Sequence, residues 1–186
     1  MGEEPRPPLL TAANLLTASR LALLPVIIVG LVSGRGYLAA GGMLLALITD
    51  LLDGRLARKL QQASAFGATL DSVVDFVLIY GLFITLYLIG RLAPWQFAVI
   101  LLAMATVIVS QAPALLRGGA VARTRFSKPA GALQYTFLLF LIGCEVLPAL
   151  PWLRYLNWAL FGVLALAVAG SGIECIASLW RKRRPR

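Results

Sequence analysis

Residues 50–75, DLLDGRLARKLQQASAFGATLDSVVD, decide how this chain is read. They include Asp50, Asp53, Asp71 and Asp75, four of the eight acidic residues of the protein, set in or beside strongly apolar segments. A polar turn centred on Gln62 separates two apolar runs; Asp53 lies nine residues before that centre and Asp71 nine after it, Asp50 twelve before and Asp75 thirteen after. An antiparallel helical hairpin therefore brings the two pairs to the same depth. At about 3.6 residues per turn, the i,i+3 pair Asp50/Asp53 and the i,i+4 pair Asp71/Asp75 each share one helix face. Four carboxylates at one depth repel one another and lose solvation, so a cation is expected among them. An oxygen-only donor set suits a hard ion such as Mg²⁺ or Mn²⁺, and such an ion suits a phosphate-bearing substrate.

The neighbours of the carboxylates support this reading. Gly54 lies one turn from Asp50, Ala57 one turn from Asp53 and Gly67 one turn before Asp71. Small residues on these faces let a ligand or the other helix approach the backbone. Arg58 adds a planar, fixed charge at the edge of the acidic site, a shape that fits phosphate. A purely structural use is also open for one pair, because Asp50 and Asp53 can form ion pairs with Arg55 and Arg58 near a membrane surface.

The run Asp50-x2-Asp53-Gly54-x2-Ala57-Arg58-x8-Gly67-x3-Asp71-x3-Asp75 resembles the complete signature of the CDP-alcohol phosphotransferases, with eight positions met over 26 residues. The resemblance implies an all-helical membrane enzyme that uses one or two Mg²⁺ or Mn²⁺ ions and displaces CMP directly from a CDP-activated lipid such as CDP-diacylglycerol. It implies that Asp50, Asp53, Asp71 and Asp75 hold the metal and that Asp75 takes the proton of the acceptor hydroxyl. It further implies that Gly54, Arg58 and Ser64 hold the cytidine diphosphate. Ser64 has a second use open to it, as the cap of the third helix. A homodimer is usual in that family.

Composition gives the class independently. The chain of 186 residues is 60% hydrophobic and only 13% charged, with a mean hydropathy of +0.85. That is the make-up of a polytopic membrane protein, with room for six spans of about 20 residues each. The expected spans are 14–32, 38–57, 66–89, 95–116, 130–147 and 155–179, in one domain over 1–186 with an interfacial segment at 1–13 and a basic tail at 181–186. The N-terminal segment lacks a basic region before the first apolar run, so a retained segment is expected there and not a cleaved signal. The chain has no histidine, which removes His-based catalysis and His metal ligands. Cys144 and Cys175 stand alone in apolar runs and suggest packing.

Charge sets an expected orientation. With six spans, fourteen of the seventeen Lys and Arg residues fall on one side, and Arg35, Arg91 and Arg154 fall on the other. Positive charge collects on the cytosolic face, so both termini and the Asp site are expected there, in the plasma (inner) membrane. A net charge of +9 spread along one membrane face suits anionic lipid headgroups and argues against nucleic acid. Glu145 and Glu174 lie toward span ends, where snorkelling or a local ion pair suffices. Trp95, Trp152, Trp158 and Trp180 fit interfacial anchors.

Two further stretches bear on substrates. Asn14-x2-Thr17-x2-Arg20-x4-Pro25 resembles the opening of the first span in the bacterial phosphatidylglycerolphosphate synthases of that family. Asn14 and Thr17, with Arg20, then line the nucleotide cleft; alternatively they form a helix start while Arg20 snorkels to headgroups. The loop with Arg117, Arg123, Arg125 and Lys128 offers four cations at the cytosolic mouth, repelling a cationic acceptor and attracting a phosphorylated one. Its run from Arg117 through Ser127, Lys128 and Gln134 resembles the same synthases, which points to glycerol 3-phosphate. Ala130 and Gly131 stand where those enzymes commonly show Lys and Thr, and Phe76 follows Asp75 where Lys is common, so inositol phosphate stays open. Outside this chemistry, an intramembrane prenyl transferase and a cation pathway lined by Asp residues are the remaining alternatives. The first needs more spans, and the second has no use for Arg58 or the glycines.

Overall fold

The computed structural model describes residues 12–59, 65–117, 127–147 and 150–183, with side chains at 15–52, 67, 69–109, 130–147 and 150–177. Every regular element among them is helical: α1 (Ala12–Val32), α2 (Gly36–Lys59), α3 (Ala65–Leu88), α4 (Pro94–Arg117), α5 (Ser127–Cys144) and α6 (Pro151–Arg183). The first four match the expected spans to within two residues at each end. The last two differ more. α5 stops at Cys144, three residues short of the expected end, because the chain tightens there into turns in which the Glu145 and Val146 amides donate to Ile142 and Gly143 carbonyls. α6 starts four residues early, at Pro151, where proline's fixed φ suits the first helical turn and its missing N–H costs nothing. It also runs on to Arg183, through part of the basic tail.

Two turns are built alike. Gly34 follows α1 at φ 68° and Gly90 follows α3 at φ 75°, a region open to glycine without a steric penalty. In the first, the Gly34 and Arg35 amides donate to the carbonyls of Leu31 and Gly30; in the second, the Gly90 and Arg91 amides donate to Tyr87 and Leu86. Both are Schellman motifs, which satisfy the last carbonyls of a helix. α4 then begins with Pro94 in its first turn, and the Gln96 side chain accepts the Ala93 amide at 3.1 Å, one half of a capping box.

The surface is that of a protein in lipid. Large apolar side chains such as Leu15, Val29, Leu44, Leu52, Val73, Leu102, Leu166 and Ile173 are exposed, whereas Thr17, Arg20, Gln96, Gln134 and Ser171 are buried. Water would reward the opposite arrangement. Among the described residues, three helices carry apolar stretches long enough to cross a bilayer: Leu15–Val32, Thr69–Leu88 and Pro151–Ala177. The other three carry shorter ones, Gly36–Leu52, Pro94–Val109 and Ala130–Cys144.

The chain divides at Thr85/Leu86 into two compact units. In the first, α1 and α2 pack closely against each other. Their contact uses small residues: a Cβ added at Gly30 would lie 2.6 Å from the Ala39 nitrogen, and one at Gly42 would lie 2.7 Å from Ile27 Cγ1. α3 reaches α1 by side chains, with Leu24 close to Gly81. In the second unit, α6 packs on α4 and α5. Trp95 stacks on Trp158 at 5.0 Å and meets Phe161 edge-on, and Gln96 donates to Asn157 at 3.2 Å. Arg91 and Glu145 form a two-point ion pair at 2.9 Å, so of the two uses open to Glu145 it has the ion pair.

Candidate active site

The site lies in the first unit and is assembled from three helices. Arg20 and Asp50 stand fourteen residues before and sixteen after Gly34, so the α1–α2 hairpin sets them at one depth. The Gly30, Ala39 and Gly42 contacts hold the two backbones near enough for side chains to meet across them. On α3, Asp71 and Asp75 share a face with Leu78 and Leu82, which are buried at 2% and 0% exposure. That apolar continuation seats the face inward and turns both carboxylates toward α1.

The three carboxylates converge. One oxygen from each of Asp50, Asp71 and Asp75 lies within 4.8 Å of the others. At their centre is the guanidinium of Arg20, itself 1% exposed. Its Nη1 donates to Asp50 Oδ1 at 2.7 Å and to Asp75 Oδ1, and its Nη2 donates to Asp71 Oδ1. The carboxylates are open where the guanidinium is closed: their side chains are 36%, 44% and 39% exposed for Asp50, Asp71 and Asp75, against 2% for Arg20. Arg20 therefore does not snorkel to headgroups, and Asp50 has a cationic partner on α1. A planar group with several fixed donors can bridge three acceptors; a point charge on a flexible stem does this poorly.

The donor chemistry fits a hard divalent ion. All the donors are carboxylate oxygens, drawn from two helices, and each presents an exposed side. Among the described residues, three negative charges and the one positive charge of Arg20 leave an excess of negative charge, which a divalent ion would offset.

Thr17 lies one turn before Arg20 and is buried. Asn14 is on α1, Asp53, Gly54 and Arg58 are on α2, Arg117 ends α4 and Lys128 begins α5, but their side chains fall outside the described set. Ser64, Arg123 and Arg125 lie outside the described residues altogether. The structure thus brings three of the four expected metal ligands together and adds Arg20 as their common partner. The signal for it was present in the sequence as its spacing about Gly34.

Residues 10–169 match the family described as CDP-alcohol phosphatidyltransferase. The chain belongs to that family. It is a transferase of phospholipid synthesis and a membrane protein, passing a phosphatidyl group from a CDP-linked donor to an alcohol. A probable phosphatidylglycerophosphate synthase of Mycobacterium tuberculosis is 30% identical over 175 residues, 91% of this chain and 81% of that protein. A putative cardiolipin synthase of the same organism is 31% identical over 169 residues, 83% of this chain and 78% of that one. A CDP-diacylglycerol–glycerol-3-phosphate 3-phosphatidyltransferase of Pseudomonas fluorescens is 42% identical over a shorter stretch of 69 residues, 36% of this chain and 35% of that protein.

Proposed function

We propose that the protein transfers the phosphatidyl group of CDP-diacylglycerol to glycerol 3-phosphate and releases CMP, with a divalent metal at the acidic cluster. The observation that carries the chemistry is the convergence of Asp50, Asp71 and Asp75 within 4.8 Å, each with an exposed side. The names of the relatives support glycerol 3-phosphate as acceptor.

In this reading Asp50, Asp53, Asp71 and Asp75 hold one or two Mg²⁺ or Mn²⁺ ions. A bound ion supplies charge neutralisation on the phosphoryl oxygens and on departing CMP. Asp75 accepts the proton of the acceptor hydroxyl as its oxygen attacks the phosphorus that bears the lipid. The new P–O bond forms as the bond to the CMP phosphate breaks, and the electron pair leaves with CMP. Gly54, Arg58, Ser64, Asn14 and Thr17 hold the CDP-lipid, and Arg117 and Lys128, with Arg123 and Arg125, hold the acceptor phosphate. All six helices span the plasma membrane as one catalytic domain, with both termini and the Asp cluster on the cytosolic side. The excess of positive charge on that side, fourteen of seventeen Lys and Arg, supports the orientation. The working unit is a homodimer.

A second reading has its own support. Cardiolipin is two phosphatidyl groups joined through one glycerol, so the same displacement on phosphatidylglycerol would yield it. The cardiolipin synthase that aligns over 83% of this chain favours that acceptor. The test is CMP release from CDP-diacylglycerol by the purified protein, with and without Mn²⁺. The acceptor panel is glycerol 3-phosphate, phosphatidylglycerol, inositol phosphate, inositol and serine. Metal-dependent release with glycerol 3-phosphate is expected. Release with phosphatidylglycerol alone selects the second reading, and release with inositol phosphate alone selects that acceptor. Activity confined to serine or free inositol refutes a phosphate-bearing acceptor.

A further inference from the structure

The position of Arg20 has a consequence for the metal, and the inference drawn from it rests on the metal reading above. A guanidinium within hydrogen-bond distance of three carboxylates does two opposing things. It removes most of the repulsion among them, so they can stay together with no ion bound. It also places a fixed positive charge close to wherever a divalent ion would be held by the same oxygens. Two observations make both effects strong. Arg20 is 1% exposed, so water does little to screen its charge. It also contacts all three carboxylates at once through Nη1 and Nη2, so its one charge acts on each of them.

We propose that Arg20 is a built-in counter-cation of the acidic cluster, holding Asp50, Asp71 and Asp75 together in the metal-free protein and weakening the binding of the divalent ion. It is a positioning residue that acts through the carboxylates from their closed side, while their exposed sides face the ion and the substrate. The arrangement keeps the site folded before loading and keeps the ion exchangeable.

The role has a signature that a merely structural arginine would lack. If Arg20 only braced the helices, its loss would scatter the ligands and weaken metal binding. As a counter-cation, its loss should strengthen binding.

The test uses the full chain in detergent micelles, with Mn²⁺ binding read by electron paramagnetic resonance and unfolding temperature read in EDTA and in Mn²⁺. Arg20→Gln should bind Mn²⁺ tighter by about tenfold or more, the scale set by one unit charge a few ångströms from a divalent ion. It should also unfold earlier than wild type in EDTA and gain more from Mn²⁺. Arg20→Lys keeps the charge but not the three-way fork, so its Mn²⁺ affinity should rise much less than that of Arg20→Gln. If Arg20→Gln is not recovered in any buffer, the same comparison is made in an Asp50→Asn background, where adding Arg20→Gln should again tighten binding.

Equal or weaker Mn²⁺ binding on loss of the charge overturns the proposal, as does a lysine variant that tightens as much as the glutamine one. Wild-type protein that binds no Mn²⁺ overturns the metal reading itself, which separates that failure from a failure of the role given to Arg20.

Discussion

Replacing Gly30 with alanine tests whether the close contact of α1 with α2 builds the site. The added Cβ would lie 2.6 Å from the Ala39 nitrogen, 3.0 Å from its Cα and 3.1 Å from its Cβ. Ordinary contact at such atoms begins near about 3.4 Å, so the helices must separate by several tenths of an ångström. The obstructing atoms are mostly backbone, and Ala39 is fully buried, so no side chain can swing away to make room. Overpacking of this kind costs about 1–3 kcal/mol. In a chain of this length each kcal/mol corresponds to about 2–4 °C in unfolding temperature. Gly41→Ala is the control, because a Cβ there meets nothing within 4 Å, and the helix should gain up to about 1 kcal/mol from the change. Unfolding is followed in detergent by intrinsic fluorescence, and CMP release is measured on the same preparations. Gly30→Ala should melt several degrees below wild type and lose activity out of proportion, since Arg20 and Asp50 are set by the same hairpin. If Gly30→Ala melts with Gly41→Ala, the small-residue contact does not hold the hairpin, and the account of how the site is assembled is wrong.

Other outcomes follow from the proposed roles. Asp75→Asn keeps size and an acceptor for Arg20 but loses the base, so turnover should fall by about 10²–10⁴ with CDP-lipid affinity within tenfold; near-normal turnover would remove Asp75 as base. Asp53→Ala should raise the Mn²⁺ needed for half-maximal CMP release, and an unchanged titration would show that Asp53 is not a ligand. A cysteine at Ser127 should be labelled only from the cytosolic side and one at Arg91 only from outside, and the reverse pattern would overturn the orientation. If Arg117 and Lys128 hold the acceptor phosphate, alanine at either should raise the KM for glycerol 3-phosphate far more than that for the CDP-lipid.

The helical plan and much of the acidic site could be read from residue order alone, for local reasons. Apolar runs interrupted by Gly34 and Gly90 specify helices and their turns, because the Schellman geometry needs only a residue tolerant of positive φ and the carbonyls just before it. The i,i+4 spacing of Asp71 and Asp75 fixes their shared face without any tertiary information. The ends of α5 and α6 were less legible, since an apolar run does not reveal where a helix tightens or that Pro151 already lies in the next one. Arg20 was ambiguous for a different reason. A cation near the end of a span can reach headgroups or turn inward, and sequence alone does not price the two. The choice depends on how near α2 lies, which Gly30, Ala39 and Gly42 set across the turn.

The same arginine bears on what kind of protein carries such a cluster. A pathway for cations needs carboxylates that pass an ion onward, with vacancies between them and no fixed positive charge in the line. Here three carboxylates from two helices converge on one buried guanidinium that contacts all of them. A cation arriving from the exposed side meets, behind the carboxylates, a buried guanidinium of its own sign of charge. It can bind, because the three described carboxylates outnumber the one guanidinium that they share. Such a place suits an ion that binds beside a phosphate group, and membership of a phosphatidyltransferase family is what that geometry leads one to expect.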